Sequence, residues 1–175
     1  ADNGALAEWL APLLPLAGEL RRFGEPGPLP AAPGRDWPEP WQVPGRKWAQ
    51  IQAFVAALPP APSAGETLDW CAGKGHLGRH YCEARGGGVT GLERDEQLVA
   101  EGNRLSARAR LPVRLQPIDV LSPAAEPLLD GAGQVLALHA CGDLHRRLLQ
   151  CLGGGRGAAL ALAPAARRAP AAVYK

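Results

Sequence analysis

The sequence predicts an α/β fold, a doubly wound parallel sheet behind a proline-rich amino-terminal extension. Three observations predict it. Five short apolar segments alternate with helix-compatible segments from Ala64 onward. A glycine-rich loop joins the first of these strands to the helix after it. Ten of the 18 prolines fall between Glu25 and Ala64. Strands spaced by crossover helices pair in parallel through right-handed connections. The expected organisation is a helical and proline-rich extension over residues 1–63 and a sheet domain over residues 64–175.

In the extension, AEWLAPLLPLAGELRRF (7–23) puts Trp9, Leu10, Leu13, Leu14 and Leu20 at helical spacing. Pro12 and Pro15 interrupt that pattern, so a short or broken helix is expected. Gly24–Val43 lacks too many N–H donors for regular structure and is expected to wrap a surface, with Trp37 and Trp41 as anchors. In Arg46–Leu58, Trp48, Ile51, Val55 and Leu58 share one helical face, and Pro59-Pro60 stops the helix. Strands are expected at Thr67–Cys71, Gly88–Glu93, Val113–Ile118, Gln134–His139 and Ala158–Ala163. Helices are expected at Leu77–Arg85, Glu96–Arg108 and Leu144–Leu152, with a weaker one at Ala124–Leu129. No internal repeat is visible.

Composition bounds the function classes. The chain has 175 residues, 46% of them hydrophobic and 21% charged, enough for one domain with a sizeable core. Coiled coil and collagen are excluded. No run of eighteen apolar residues marks a membrane span, and the amino end lacks the basic-then-apolar pattern of a signal peptide. Four cysteines do not make a disulfide scaffold in this length, so free thiols in a reducing cytoplasm are expected. Arg outnumbers Lys 16 to 3 beside abundant Ala, which reads as codon bias of a GC-rich, bacterial genome. The chain contains no Met, and is expected to be trimmed or incomplete. A net charge of +2 does not by itself predict a nucleic-acid partner.

The stretch LDWCAGKGHLG (68–78) carries Gly73-x-Gly75-x-x-Gly78 directly after a strand and at the start of a helix. Such a loop lets a ligand lie against bare backbone beside a helix amino terminus. Dinucleotides and S-adenosylmethionine both use loops of this kind, and the preceding residue separates them. Asp69 would repel a pyrophosphate placed at the loop, whereas S-adenosylmethionine has no phosphate and carries an ammonium and a sulfonium. Two further acids follow: Glu93 ends the second strand, where a carboxylate can accept ribose hydroxyls, and Asp119 follows the third, where it can accept the adenine amino group.

This pattern resembles class I S-adenosylmethionine-dependent methyltransferases, with a Rossmann-like sheet. The segments Asp69-Trp70-Cys71-Ala72-Gly73-Lys74-Gly75-His76-Leu77-Gly78 and Leu138-His139-Ala140-Cys141-Gly142-Asp143-Leu144 narrow the resemblance. They resemble the methyltransferase-domain family that includes the ribosomal RNA adenine dimethylase domain-containing proteins and their bacterial relatives. The resemblance covers about Pro44–Pro164. It implies that Asp69, Gly73, Gly75, Glu93 and Asp119 line S-adenosylmethionine, with Cys71, Ala72, Lys74, Arg94 and His139 counted in the same pocket. Lys47, or Arg46, in a similar basic stretch would reach the cofactor carboxylate or the substrate. The family follows its fifth strand with a Pro-Cys-Cys-Tyr-like segment, where this chain has Pro164-Ala165-Ala166-Arg167-Arg168. A complete class I sheet also has two further strands, so the fifth is expected to be an exposed edge.

The resemblance also directs attention to the end of the fourth strand, which faces the transferred methyl group. His139 is a candidate base. Asp143 either serves the reaction or caps the helix expected at Leu144, and Cys141 is either a small buried thiol or a nucleophile. Cys71, His76, His80 and Cys82, and separately His139, Cys141 and His145, lack paired metal-ligand spacing, so no metal is expected. Arg104, Arg108, Arg110, Arg114, Arg146 and Arg147 form either a basic surface for RNA or part of an ordinary mixed surface. The expected function is methyl transfer by in-line displacement to an acceptor, with RNA in view. The competing expectation is a non-catalytic module that keeps the pocket.

Overall fold

Each expected strand after Ala64 forms, and each is followed by a helix or by the end of the sheet. A computed structural model describes residues 43, 45–58, 60, 65–140, 142–153 and 159–163, all within the unit Ala32–Lys175. The broken helix over 7–23, the wrapping segment before Val43 with Trp37 and Trp41, Cys141 and the segment after Ala163 lie outside the described residues. The elements are α1 (Gly45–Ala57), β1 (Glu66–Trp70), α2 (His76–Arg85), β2 (Val89–Glu93), α3 (Glu96–Ala109), β3 (Val113–Pro117), α4 (Glu126–Asp130), β4 (Ala132–Leu138), α5 (Asp143–Leu152) and β5 (Ala159–Ala163). A single 3-10 turn at Pro123–Ala125 runs into α4, replacing the longer helix expected there. Among the described residues, no helix is long and apolar enough to cross a membrane.

The strands pair in parallel in the order β3-β2-β1-β4-β5. The chain winds outward from β1 through β2 and β3, then returns to β1's other side for β4 and β5. Strand order therefore reverses between β1 and β4, and a crevice opens at their carboxyl ends. Alternation along β1 sends Leu68 and Trp70 to one face and Thr67 and Asp69 to the other. One face packs Leu68, Trp70, Leu92 and Val135 with Leu129 and Leu148 of α4 and α5. The other packs Val89, Val113, Leu115 and Leu136 with Trp48, Ile51, Leu77 and Val99 of α1, α2 and α3.

Long-range polar contacts fix the helices that carry the site. The Arg85 guanidinium donates to the carbonyls of Val55 and Leu58 at 2.9 and 2.8 Å, capping the end of α1. Trp48 of α1 meets the His80 ring edge-on, with centroids 4.7 Å apart. Asp95 caps α3 through the N–H groups of Gln97 and Leu98. Asn103 both donates to and accepts from the backbone of Leu115, occupying groups on the outer side of β3.

Three strands stop one residue earlier than the sequence suggests, β1 at Trp70, β3 at Pro117 and β4 at Leu138. Cys71 and His139 were expected as strand residues, but their φ angles are +64° and +67°. The left-handed region is costly for side chains like these and ends the pleat abruptly. Both residues turn at the carboxyl ends of adjacent strands.

Candidate functional site

The glycine loop builds the centre of the site. Gly75 has φ +72°, and a Cβ there would stand 2.8 Å from Leu115 Cδ1. Gly102 of α3 lets the loop close: a Cβ on it would lie 2.9 Å from the Lys74 carbonyl oxygen. The Ala72 N–H donates to the Leu92 carbonyl at 2.9 Å, and the Gly73 N–H donates to Glu93 Oε2 at the same distance. The second carboxylate oxygen of Glu93 accepts the Asp95 N–H at 3.0 Å. Glu93 thus ties the loop to the end of β2.

Two cavities flank this loop and share Cys71 as a wall. The first, about 280 Å³, is lined by Glu93, Arg94 and Asp119 with Leu92, Ile118 and Leu144 among its apolar walls. Asp119 holds its own turn there by accepting the Leu121 N–H at 3.0 Å. The second, about 120 Å³, lies between α1 and the ends of β1 and β4. Lys47, Asp69, Ala72, His76 and His139 line it with Ile51, Leu77 and Leu138.

Asp69 is 2% exposed, and its Oδ2 has no hydrogen-bond partner. Burial pushes its carboxyl up to about 7, and Glu93 adds to the rise. A hydrogen bond from the Gly78 backbone, together with Lys47 and Arg79, pulls the other way. Burial, then Glu93, Asp69 and Asp119, push the Cys71 thiol up to about 12, so it stays protonated and is not a nucleophile. Burial and the cations of Arg79, Lys47 and Lys74 push His76 down to about 4, with Glu101 opposing. His139 Nε2 lies 3.0 Å from Gln50 Oε1, which joins the β4 turn to α1.

Most residues singled out in the sequence meet here. Gly73, Lys74 and Gly75 shape the loop without lining either cavity, and the Lys74 ammonium pairs with Glu101 at 2.9 Å. Asp143 is brought to neither cavity: it is exposed on the first turn of α5 and pairs with Arg146 at 2.9 Å. Its side chain does not cap α5, whose N-cap is Gly142. His76 belongs to the site although the sequence reading weighed it only as a metal ligand. Its place at the first helical position after the glycine loop was the available signal. Among the described residues, no three His, Cys, Asp or Glu side chains gather as metal ligands do.

Residues 46–165 match a protein family described as a methyltransferase domain. No curated protein matches the chain. Solved structures share the fold at low identity. Geranyl diphosphate methyltransferase, in complex with geranyl diphosphate and sinefungin, is 18% identical with a TM-score of 0.52, covering 64% of this chain and 41% of that one. The 4+2 cyclase SpnF is 18% identical at 0.51, covering 68% and 46%. The YcgJ protein of Bacillus subtilis is 15% identical at 0.50, covering 64% and 47%. The chain spans less than half the length of each.

Proposed function

Because this chain belongs to the methyltransferase-domain family, we propose that it transfers a methyl group from a cofactor seated across both cavities. Its fold is the Rossmann-like sheet of class I methyltransferases, and S-adenosylmethionine is the cofactor that goes with family and fold. The residues present fit that molecule. Asp69 offers a buried, unpartnered carboxylate oxygen to an ammonium, and nothing lies within 4 Å of where a Cβ on Gly73 would stand, so bare backbone borders open space.

In this reading the adenosine half occupies the larger cavity. Glu93 accepts the ribose hydroxyls with its remaining lone pairs, and Asp119 accepts the adenine amino group. The amino-acid half occupies the smaller cavity, with Asp69 facing its ammonium and Lys47 supplying a cation. The bound cofactor supplies an electrophilic methyl carbon on a sulfonium. The chain's work is positioning and removal of the acceptor's proton. With Gln50 Oε1 as hydrogen-bond acceptor, the His139 proton sits on Nε2, leaving Nδ1 as the basic atom. We assign that atom to receive the acceptor's proton during transfer. What carries the reading is the meeting at Cys71 of two cavities of complementary chemistry on either side of one glycine loop.

RNA as the methyl acceptor rested on six arginines, and they do not converge on the cavities. Arg108, Arg110 and Arg114 are exposed at the turn from α3 into β3, beside the amino ends of the strands. Arg146 and Arg147, nearer the site, pair with Asp143 and Glu126. A second reading, a non-catalytic module retaining the pocket, is favoured by Asp143 standing outside both cavities. Calorimetry with S-adenosylmethionine, S-adenosylhomocysteine and NAD separates the possibilities. Micromolar binding of the first two is expected; binding of NAD alone overturns the methyltransferase reading. Radiolabelled methyl transfer to total RNA, total protein and a small-molecule extract then identifies the acceptor, and no transfer to any fraction favours the module. The division at residues 63 and 64 is likewise proposed; because α1 packs on the sheet through Trp48 and Ile51, comparing the folding of residues 64–175 with that of residues 43–175 tests whether α1 belongs with the extension or with the sheet.

A further inference from the structure

His76 and Arg79 form a pair that the cofactor reading leaves unused. Arg79 is 8% exposed in the interior between α2 and α3. Its Nη1 donates to the Lys74 carbonyl at 2.7 Å and lies 3.3 Å from Ser106 Oγ. Its Nη2 lies 2.9 Å from His76 Nδ1. A guanidinium carries only donors and keeps its proton in proteins, so Nδ1 of His76 must accept. An imidazole that accepts at Nδ1 is neutral and carries its proton on Nε2. The downward push on His76 from burial and three cations agrees with that state. The ring lines the smaller cavity on the same wall system as Lys47 and Asp69.

We infer that Arg79 is a positioning residue that locks His76 as an Nε2–H donor, and that this donor, with Lys47, recognises the carboxylate at the amino-acid end of the bound cofactor. The inference rests on the cofactor reading above and assigns its polar end. Asp69 would take the ammonium and the Lys47–His76 pair the carboxylate, so the cavity would select a zwitterion by an acid and a pair of donors within one lining. Arg79 serves twice, since the same guanidinium holds the Lys74 carbonyl and therefore the loop itself. Lysine in its place would keep the charge but not the planar set of donors that reaches loop, α3 and His76 together.

The test uses the 175-residue chain, two ligands and one spectroscopic signature. S-adenosylhomocysteine carries the amino-acid end, and 5′-methylthioadenosine lacks it. His76→Ala is expected to weaken S-adenosylhomocysteine about tenfold or more while leaving 5′-methylthioadenosine unchanged, because a hydrogen bond to a charged group is lost only for the first. His76→Gln, whose amide can place a donor near the Nε2 position, is expected to recover most of the loss. Equal weakening of both ligands, or of neither, overturns the inference. Side-chain ¹⁵N shifts of the free protein should show His76 protonated at Nε2 alone, and mixed tautomers in Arg79→Met. An Nδ1–H or imidazolium signature in the wild type contradicts the lock, and this readout holds even where Arg79→Met fails to fold. If the wild-type chain binds neither ligand, the cofactor reading itself falls, while the tautomer is decided separately.

Discussion

At the carboxyl ends of β2 and β3 the acids are held by their own backbone. Glu93 accepts the Gly73 and Asp95 N–H groups, and Asp119 accepts that of Leu121. At the ends of β1 and β4 the polar groups are held in costlier states. Asp69 keeps an unpartnered buried oxygen, Cys71 and His139 adopt positive φ, and His76 is kept neutral among cations. Under the proposed function the first region is a set of acceptors for a neutral, hydroxyl-bearing group. The second stores backbone strain and an unsatisfied polar oxygen, the arrangement found where a protein awaits a charged ligand or performs chemistry. Under the proposed function the contrast is between recognition of a nucleoside and handling of the reacting end.

The largest expected effect breaks the first region. Glu93→Ala removes both the loop's anchor and the proposed ribose acceptor, and should weaken S-adenosylhomocysteine about 100-fold by calorimetry. An unchanged affinity would remove the nucleoside from that cavity.

Asp69→Asn tests the second region and should cost about tenfold. It also carries a pH signature. In the free fold the Asp69 carboxyl sits near 7, above its ordinary 3.8, so it is largely protonated at pH 6. An incoming ammonium requires the carboxylate, so binding releases a proton and affinity should rise from pH 6 to pH 8. Without ligand the sign reverses. The unfolded chain gives up this proton first, so stability falls as pH rises from about 4 to about 7. Calorimetry in two buffers of different ionisation enthalpy reads the released proton, which Asp69→Asn should abolish; proton release persisting in that variant would assign it to another group.

The smallest expected effect is a control outside both regions. Asp95→Ala removes the α3 cap and should cost about 1 kcal/mol of stability in chemical denaturation, with ligand affinity altered less than threefold. A large loss of affinity would mean that Glu93 depends on this turn for its place, and would blur the contrast between the cavities.

The sheet was legible in the sequence because its signals are local. Apolar runs bounded by Gly and Pro mark β1 to β5 to within one or two residues, and the spacing of Gly73, Gly75 and Gly78 marks the turn between β1 and α2. Glu93 and Asp119 were legible because parallel topology brings strand ends to one edge. What escaped depends on contacts distant in the chain or on backbone angles. Gln50 meets His139 across 89 positions, and Arg85 caps a helix whose last carbonyls lie 27 to 30 positions earlier. His76 was weighed in the sequence only as a metal ligand and set aside, and its proposed role as a donor rests on the Arg79 guanidinium 2.9 Å from its Nδ1. Asp143 sits beside the site in sequence, but α5 turns its side chain toward Arg146.

A crystal structure of the chain with S-adenosylhomocysteine tests the central claim most directly. The account predicts adenosine between Glu93 and Asp119, the sulfur beside Cys71, and the amino-acid end between Asp69 and the Lys47–His76 wall. A ligand with its adenine against Lys47, or one that leaves Asp69 Oδ2 unpartnered, would contradict it.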